Sequence, residues 1–133
     1  MTDEPRHVVI GAGSTMGGAA PLISDSVEWN GTLYLSGRAD VDPATLEPRS
    51  HDFSEQARSV LRDVGRVLEE SGSGFASVLR VECYLARTED FRAWNAIFAE
   101  TFPDPRPART TLIVAFPVPG LLIELQVTAA VRR

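Results

Sequence analysis

Between Phe53 and Leu68 the apolar residues Phe53, Ala57, Val60, Leu61, Val64, Val67 and Leu68 return every three or four positions, the repeat of a helix with one buried stripe. Asp52 precedes the stripe with Glu55 three residues on, an arrangement that caps a helix start, and the sequence SGSG (71–74) stops it. The period then changes. In SVLRVECYLAR (77–87), Leu79, Val81, Cys83 and Leu85 alternate with Arg80, Glu82 and Tyr84, which predicts a half-buried strand with the first set inward. A second helix is predicted from Thr88, with Glu89 and Asp90 in its first turn, where negative charge suits the helix dipole. Its stripe is Phe91, Trp94, Asn95, Phe98 and Phe102. Asn95 reads either as a buried amide bonded to nearby backbone or as a ligand contact.

Shorter patterns flank these elements. RHVVI (6–10) predicts a short strand, and SVEWNGTLYLSG (26–37) a hairpin turning at Asn30-Gly31. Between them GAGSTMGGAAP (11–21) is glycine-rich, but Gly11, Gly13 and Gly17 lack the spacing of a dinucleotide fingerprint and no periodic helix follows, so a loop is predicted. VDPATLEPRS (41–50) is a polar loop, and PDPRP (103–107) a stiff extended connection. Two strands, Thr110 to Phe116 and Leu122 to Val131, follow. In the last, Ile123, Leu125, Val127, Ala129 and Val131 share one face, and Glu124, Gln126 and Thr128 the other. The order of three strands, helix, strand, helix and two strands predicts an α+β sandwich, a six-stranded sheet with two helices on one face. The other face lacks cover, so self-association is expected, with clefts between subunits.

Composition narrows the chemistry. A chain of 133 residues, 44% of them hydrophobic, suits one domain over residues 1–133. All thirteen basic residues are arginine, which excludes a Schiff-base lysine, a pyridoxal-phosphate anchor and a P-loop lysine. With a net charge of −5, nucleic acid is not the expected partner. Cys83 is the single cysteine and is expected to be an inert core thiol; His7 and His51 are far apart, so no metal site is expected. The start MTDEPRHVV lacks the features of a signal peptide and no apolar run reaches the roughly 20 residues of a membrane span, so a cytoplasmic protein without membrane contact is expected.

PARTTLIVAFPVPGLLIELQ (107–126) holds only two charges, Arg109 and Glu124. By charge pattern alone they form a salt bridge worth at most about 1 kcal/mol if exposed, or an anion clamp beside a base. YLSGR (34–38), DFRAWNAIFAETF (90–102), PART (107–110) and LIELQVTAAVRR (122–133) together decide otherwise. From about Pro21 to Arg133 the chain resembles the reactive intermediate deaminase family (RidA, also called YjgF-like or liver perchloric-acid-soluble protein-like). The resemblance implies a chorismate-mutase-like, mixed but largely antiparallel fold and a homotrimer with its sites between subunits. It implies hydrolysis of reactive 2-imino acids, or their enamine tautomers, to 2-oxo acids and ammonia without metal or organic cofactor. Arg109 then matches the arginine that binds the substrate carboxylate, and Glu124 the glutamate that places water. Ser36, Gly37, Arg38, Asn95 and Thr111 become substrate-binding or supporting positions. Arg38 stands where the family usually has glutamine, Thr111 where cysteine is common, and a tyrosine often found near Ile23 is absent. A non-catalytic module that binds a 2-oxo acid or another small carboxylate is the alternative. Endoribonuclease activity is a third, against which the acidity and missing lysine argue.

Overall fold

The computed structural model describes residues 4–10 and 15–132. Strands β1 (Arg6–Val8), β2 (Ser26–Trp29) and β3 (Thr32–Leu35) run antiparallel in sequence order. The β2–β3 turn uses Asn30 and Gly31 at φ 54° and 81°, the left-handed pair that a tight hairpin requires. Gly11 and Gly13 of the predicted loop lie outside the described residues; from Thr15 the segment forms a turn closed by Gly18 N–H donating to the Thr15 carbonyl at 3.0 Å.

The sheet has seven strands, one more than the pattern predicts. Ser36 and Gly37 interrupt the run after β3, and Arg38–Ala39 resume pairing as β4, with Arg38 opposite Leu125 and Ala39 opposite Glu124. An element of two residues carries no periodicity that a sequence can show.

Helix α1 (Phe53–Glu70) starts as its cap predicts, with Asp52 Oδ2 accepting the Glu55 N–H at 3.0 Å. Buried Gln56 donates to the Ser50 and Gly120 carbonyls and accepts from the Leu122 N–H, fastening the helix start to the loop before the last strand. In β5 (Val78–Leu85) the register slips between Val78 and Arg80. Leu79 is thereby turned outward, contrary to the alternation, and Val78 is buried instead. Thr88–Asp90 form a single 3₁₀ turn before α2 (Phe91–Thr101). The tighter turn resets the helical phase, leaving Phe91 exposed while Ile97 joins Trp94 and Phe98 inside.

The last strands are β6 (Ala108–Ile113), parallel to β5, and β7 (Ile123–Ala130), antiparallel to β3, β4 and β5. The order is β1-β2-β3-β7-β5-β6, with β4 also on β7. Leu33, Val81, Leu85, Ile123, Leu125 and Val127 meet Val60, Val64, Val67, Trp94 and Phe98 in one core. Each such buried side chain contributes about 1.5–3 kcal/mol relative to exposure. The opposite sheet face carries Tyr34, Glu82, Tyr84, Leu112 and Gln126, with Tyr34 and Leu112 about half exposed.

Candidate active site

Arg109 lies on the edge strand β6, opposite Val81, and Thr111 lies opposite Cys83. Paired residues share a sheet face, so both side chains point toward the helices. There Arg109 Nη2 donates to Asn95 Oδ1 at 2.6 Å and Nε to Thr111 Oγ1 at 2.9 Å. The guanidinium carbon stands 4.9 Å from the Phe98 ring centroid and 5.7 Å from that of Phe91. Cation and aromatic faces attract at such distances, and the rings restrict the side chain. Asn95 thus accepts from Arg109 rather than from backbone, and the exposed ring of Phe91, which the helical stripe had placed in the core, flanks the cation. Among the described residues Arg109 Nη1 has no partner, so it and the second Nη2 hydrogen are left for an anion.

Glu124, on β7, pairs with Tyr84 of β5 and Ala39 of β4, which sets it on the other face. It has neither a hydrogen bond nor an ion pair among the described residues, and burial pushes its carboxyl above the ordinary glutamate value. Its carboxylate rests against the backbone at Gly37, where an added Cβ would come within 2.7 Å of Oε2. Tyr84 Oη donates to Glu82 Oε2 at 3.0 Å, and that bond, with burial and the neighbouring Glu82 and Glu124 charges, raises the phenol's pKa. Tyr84 is the neighbour of Glu124 that the sequence did not single out. Its outward orientation was legible in the alternation of β5, but the β5–β7 register that brings the two together was not.

Ser36 and Arg38 flank Gly37. Ser36 Oγ donates to the Ser24 carbonyl at 2.6 Å. Arg38 is buried, with Nη1 bonded to Asp25 Oδ1 at 2.5 Å and Nε to Asp63 Oδ2 at 2.7 Å. Burial opposes the charge, but Asp63 and Asp25 outweigh it and hold the guanidinium above its usual value. Asp63 also accepts from Arg66 at 2.7 Å; burial would raise its carboxyl, yet Arg38 and Arg66 hold it below the ordinary aspartate value. Asp25 is fully buried and takes the Ile10 N–H at 2.5 Å as well. Arg38 therefore spends its charge on this network, toward α1. The carboxylates that engage it stand 13 and 25 residues away, so nothing local in the sequence marks them.

A cavity of 470 Å³ adjoins β4 and includes Gly37, Arg38 and Glu124 in its wall, but not Arg109. The predicted residues accordingly fall into two groups within one chain. Arg109, Asn95 and Thr111 lie on the helix side of β6, and Glu124 with Gly37 lies at the open side of β7. Arg109 and Glu124 form no ion pair with each other. His7 bonds Ser24 Oγ at 3.1 Å and His51 stands beside Gly120, at separate places in the fold. Cys83 is buried, and burial pushes its thiol pKa up.

Residues 16–131 match the family model described as Endoribonuclease L-PSP. The chain is 34% identical over 103 residues to "Putative regulator AldR" of Lactococcus lactis, covering 77% of this chain and 82% of that protein. It is 31% identical over 112 residues to the human 2-iminobutanoate/2-iminopropanoate deaminase, covering 84% and 82% respectively. Among solved structures, RidA from an Antarctic Psychrobacter superposes with a TM-score of 0.79 at 27% identity, over 95% of this chain and 100% of that one.

Proposed function

The chain belongs to the Endoribonuclease L-PSP family, that of the reactive intermediate deaminases, and from that premise we propose that it hydrolyses 2-imino acids and their enamine tautomers in a site shared by two copies. The observation that carries this reading is the placement of Arg109 and Glu124 on opposite faces of one sheet, each with an unfilled role. Among the described residues Arg109 has hydrogens to spare and Glu124 has no partner, so a second copy docked on the open sheet face would bring each to the other. In that arrangement the substrate carboxylate takes Nη1 and Nη2 of Arg109, while Asn95, Thr111 and Phe98 keep the guanidinium plane fixed.

The reaction needs little more than position. Water adds to the electrophilic iminium carbon, and Glu124 accepts its proton as the C–O bond forms. The same carboxyl returns the proton to nitrogen and takes up the hydroxyl proton as the C–N bond breaks, so that the 2-oxo acid forms and the nitrogen, given that last proton, leaves as ammonium. Burial raises the Glu124 pKa and makes its carboxylate a stronger base toward the attacking water than an ordinary glutamate. Gly37 leaves the carboxylate room against the backbone, and Ser36 holds the loop through Ser24. No helix among the described residues is long and apolar enough to cross a membrane.

The test is release of 2-oxo acid and ammonia from imines generated in situ by an amino-acid oxidase. The protein should accelerate release, and Arg109→Ala should not. Equal rates with the protein, the variant and no protein would remove the reading. A second reading, a module that senses a 2-oxo acid without turnover, draws on the relative named as a putative regulator. Saturable 2-oxo acid binding that Arg109→Ala abolishes, with no imine hydrolysed, would select it.

A further inference from the structure

The cavity beside Glu124 is larger than a three-carbon acid needs, and its wall divides into two kinds of surface. Apart from Glu124, the charged lining is paired within the chain: Arg38 and Arg66 bond Asp63, while Arg49 and Ser59 bond Asp40. What remains for a ligand is apolar, chiefly Met16, Ile23, Leu46, Val118 and Leu121. Met16 and Leu46 are 52% and 41% exposed, and both hold positive φ, 54° and 58°, which costs an L-residue about 1–3 kcal/mol. Asn30 is the other non-glycine residue in that region among those described, and the hairpin turn accounts for it. Two strained, exposed apolar side chains at one cavity mouth therefore call for an occupant.

We propose that this cavity receives the substrate's side chain and selects 2-imino acids with branched aliphatic or thioether side chains over the three-carbon imine. The proposal rests on the imine-hydrolysing site described above, and it follows from that site's geometry. With the carboxylate on Arg109 of one copy and the reacting carbon before Glu124 of another, the side chain is the part left to enter the cavity adjoining Glu124. Acidic side chains are disfavoured, because Glu124 in the wall repels them and the arginines there are already engaged with Asp40 and Asp63. Each added methylene in an apolar pocket changes discrimination by roughly tenfold or more, so the leucine-derived imine should exceed the alanine-derived one by at least about tenfold in kcat/KM.

Imines from alanine, leucine, methionine and glutamate are compared in the oxidase-coupled assay, with the wild type, Leu46→Asn and Val118→Asp. Asparagine tolerates the left-handed conformation at position 46, so that variant keeps its backbone. Binding of the corresponding 2-oxo acids is measured in parallel by calorimetry. The expected result is a preference for the leucine and methionine imines that both substitutions reduce to near equality with the alanine imine. Equal or better turnover of the alanine or glutamate imine overturns the size selection and leaves imine hydrolysis standing. If no imine is hydrolysed, the enzymatic reading fails by itself. Tighter binding of 4-methyl-2-oxopentanoate than of pyruvate, weakened in Leu46→Asn, would then still support the cavity assignment. Absent or reversed binding preference would overturn that as well.

Discussion

Glu124 sits half-buried without a partner among the described residues, which is costly for stability and, on the proposed mechanism, suits it to accept a proton. Glu124→Gln should lower kcat by roughly 10²–10⁴-fold, the usual contribution of a positioned base. It should also raise the melting temperature at neutral pH. A carboxyl whose folded pKa lies above its unfolded value opposes folding once pH rises past the ordinary glutamate range. The stabilisation by glutamine should therefore be present at pH 7 and vanish as pH falls below that range, which melting curves across pH would show. Wild-type activity should decline on acidification through a value above the ordinary glutamate range. Gly37→Ala tests the carboxylate's placement. The new Cβ would press on a flexible side-chain end, so the fold should persist while the displaced carboxylate loses up to about 10²-fold in kcat with KM little changed. A large loss of stability instead would show that Gly37 serves the backbone.

Among the elements, β4 and its buried Arg38 join three parts of the chain: the segment at Ile10 through Asp25, α1 through Asp63, and β7 through strand pairing. Arg38→Met leaves Asp25 buried without its cation and should cost about 3–5 kcal/mol in urea unfolding. Asp25→Asn in the same chain should recover part of that loss. The helices were legible because their signals are local: seven apolar positions in phase and an Asp52 cap describe α1 without any tertiary information. Where neighbours decide, the pattern failed. A bulge turned Leu79 out, a 3₁₀ turn rotated Phe91 out of the core, and β4 was too short to register. Arg109 and Glu124 stood out as isolated charges in an apolar run, yet their opposite faces depend on two strand registers that no local signal fixes.

For the whole molecule, the uncovered sheet face is the main feature. Tyr34 and Leu112 stand about half exposed on it, beside Tyr84 and Glu124. Apolar groups on one side of a sheet with both helices on the other are the surface that a second copy would cover. Leu112→Asp should yield a smaller species in analytical ultracentrifugation, with an unchanged circular dichroism spectrum and no imine hydrolysis. A variant that stays assembled and active would place the contact elsewhere.

The division of one site between two copies is tested most directly by mixing two inactive chains. Arg109→Ala and Glu124→Gln are unfolded together, refolded and assayed against each variant refolded alone. If every site takes its arginine from one copy and its glutamate from another, random mixing restores about a quarter of wild-type activity. Activity no greater than that of the separate variants, in a mixture shown to have exchanged subunits, would contradict the account.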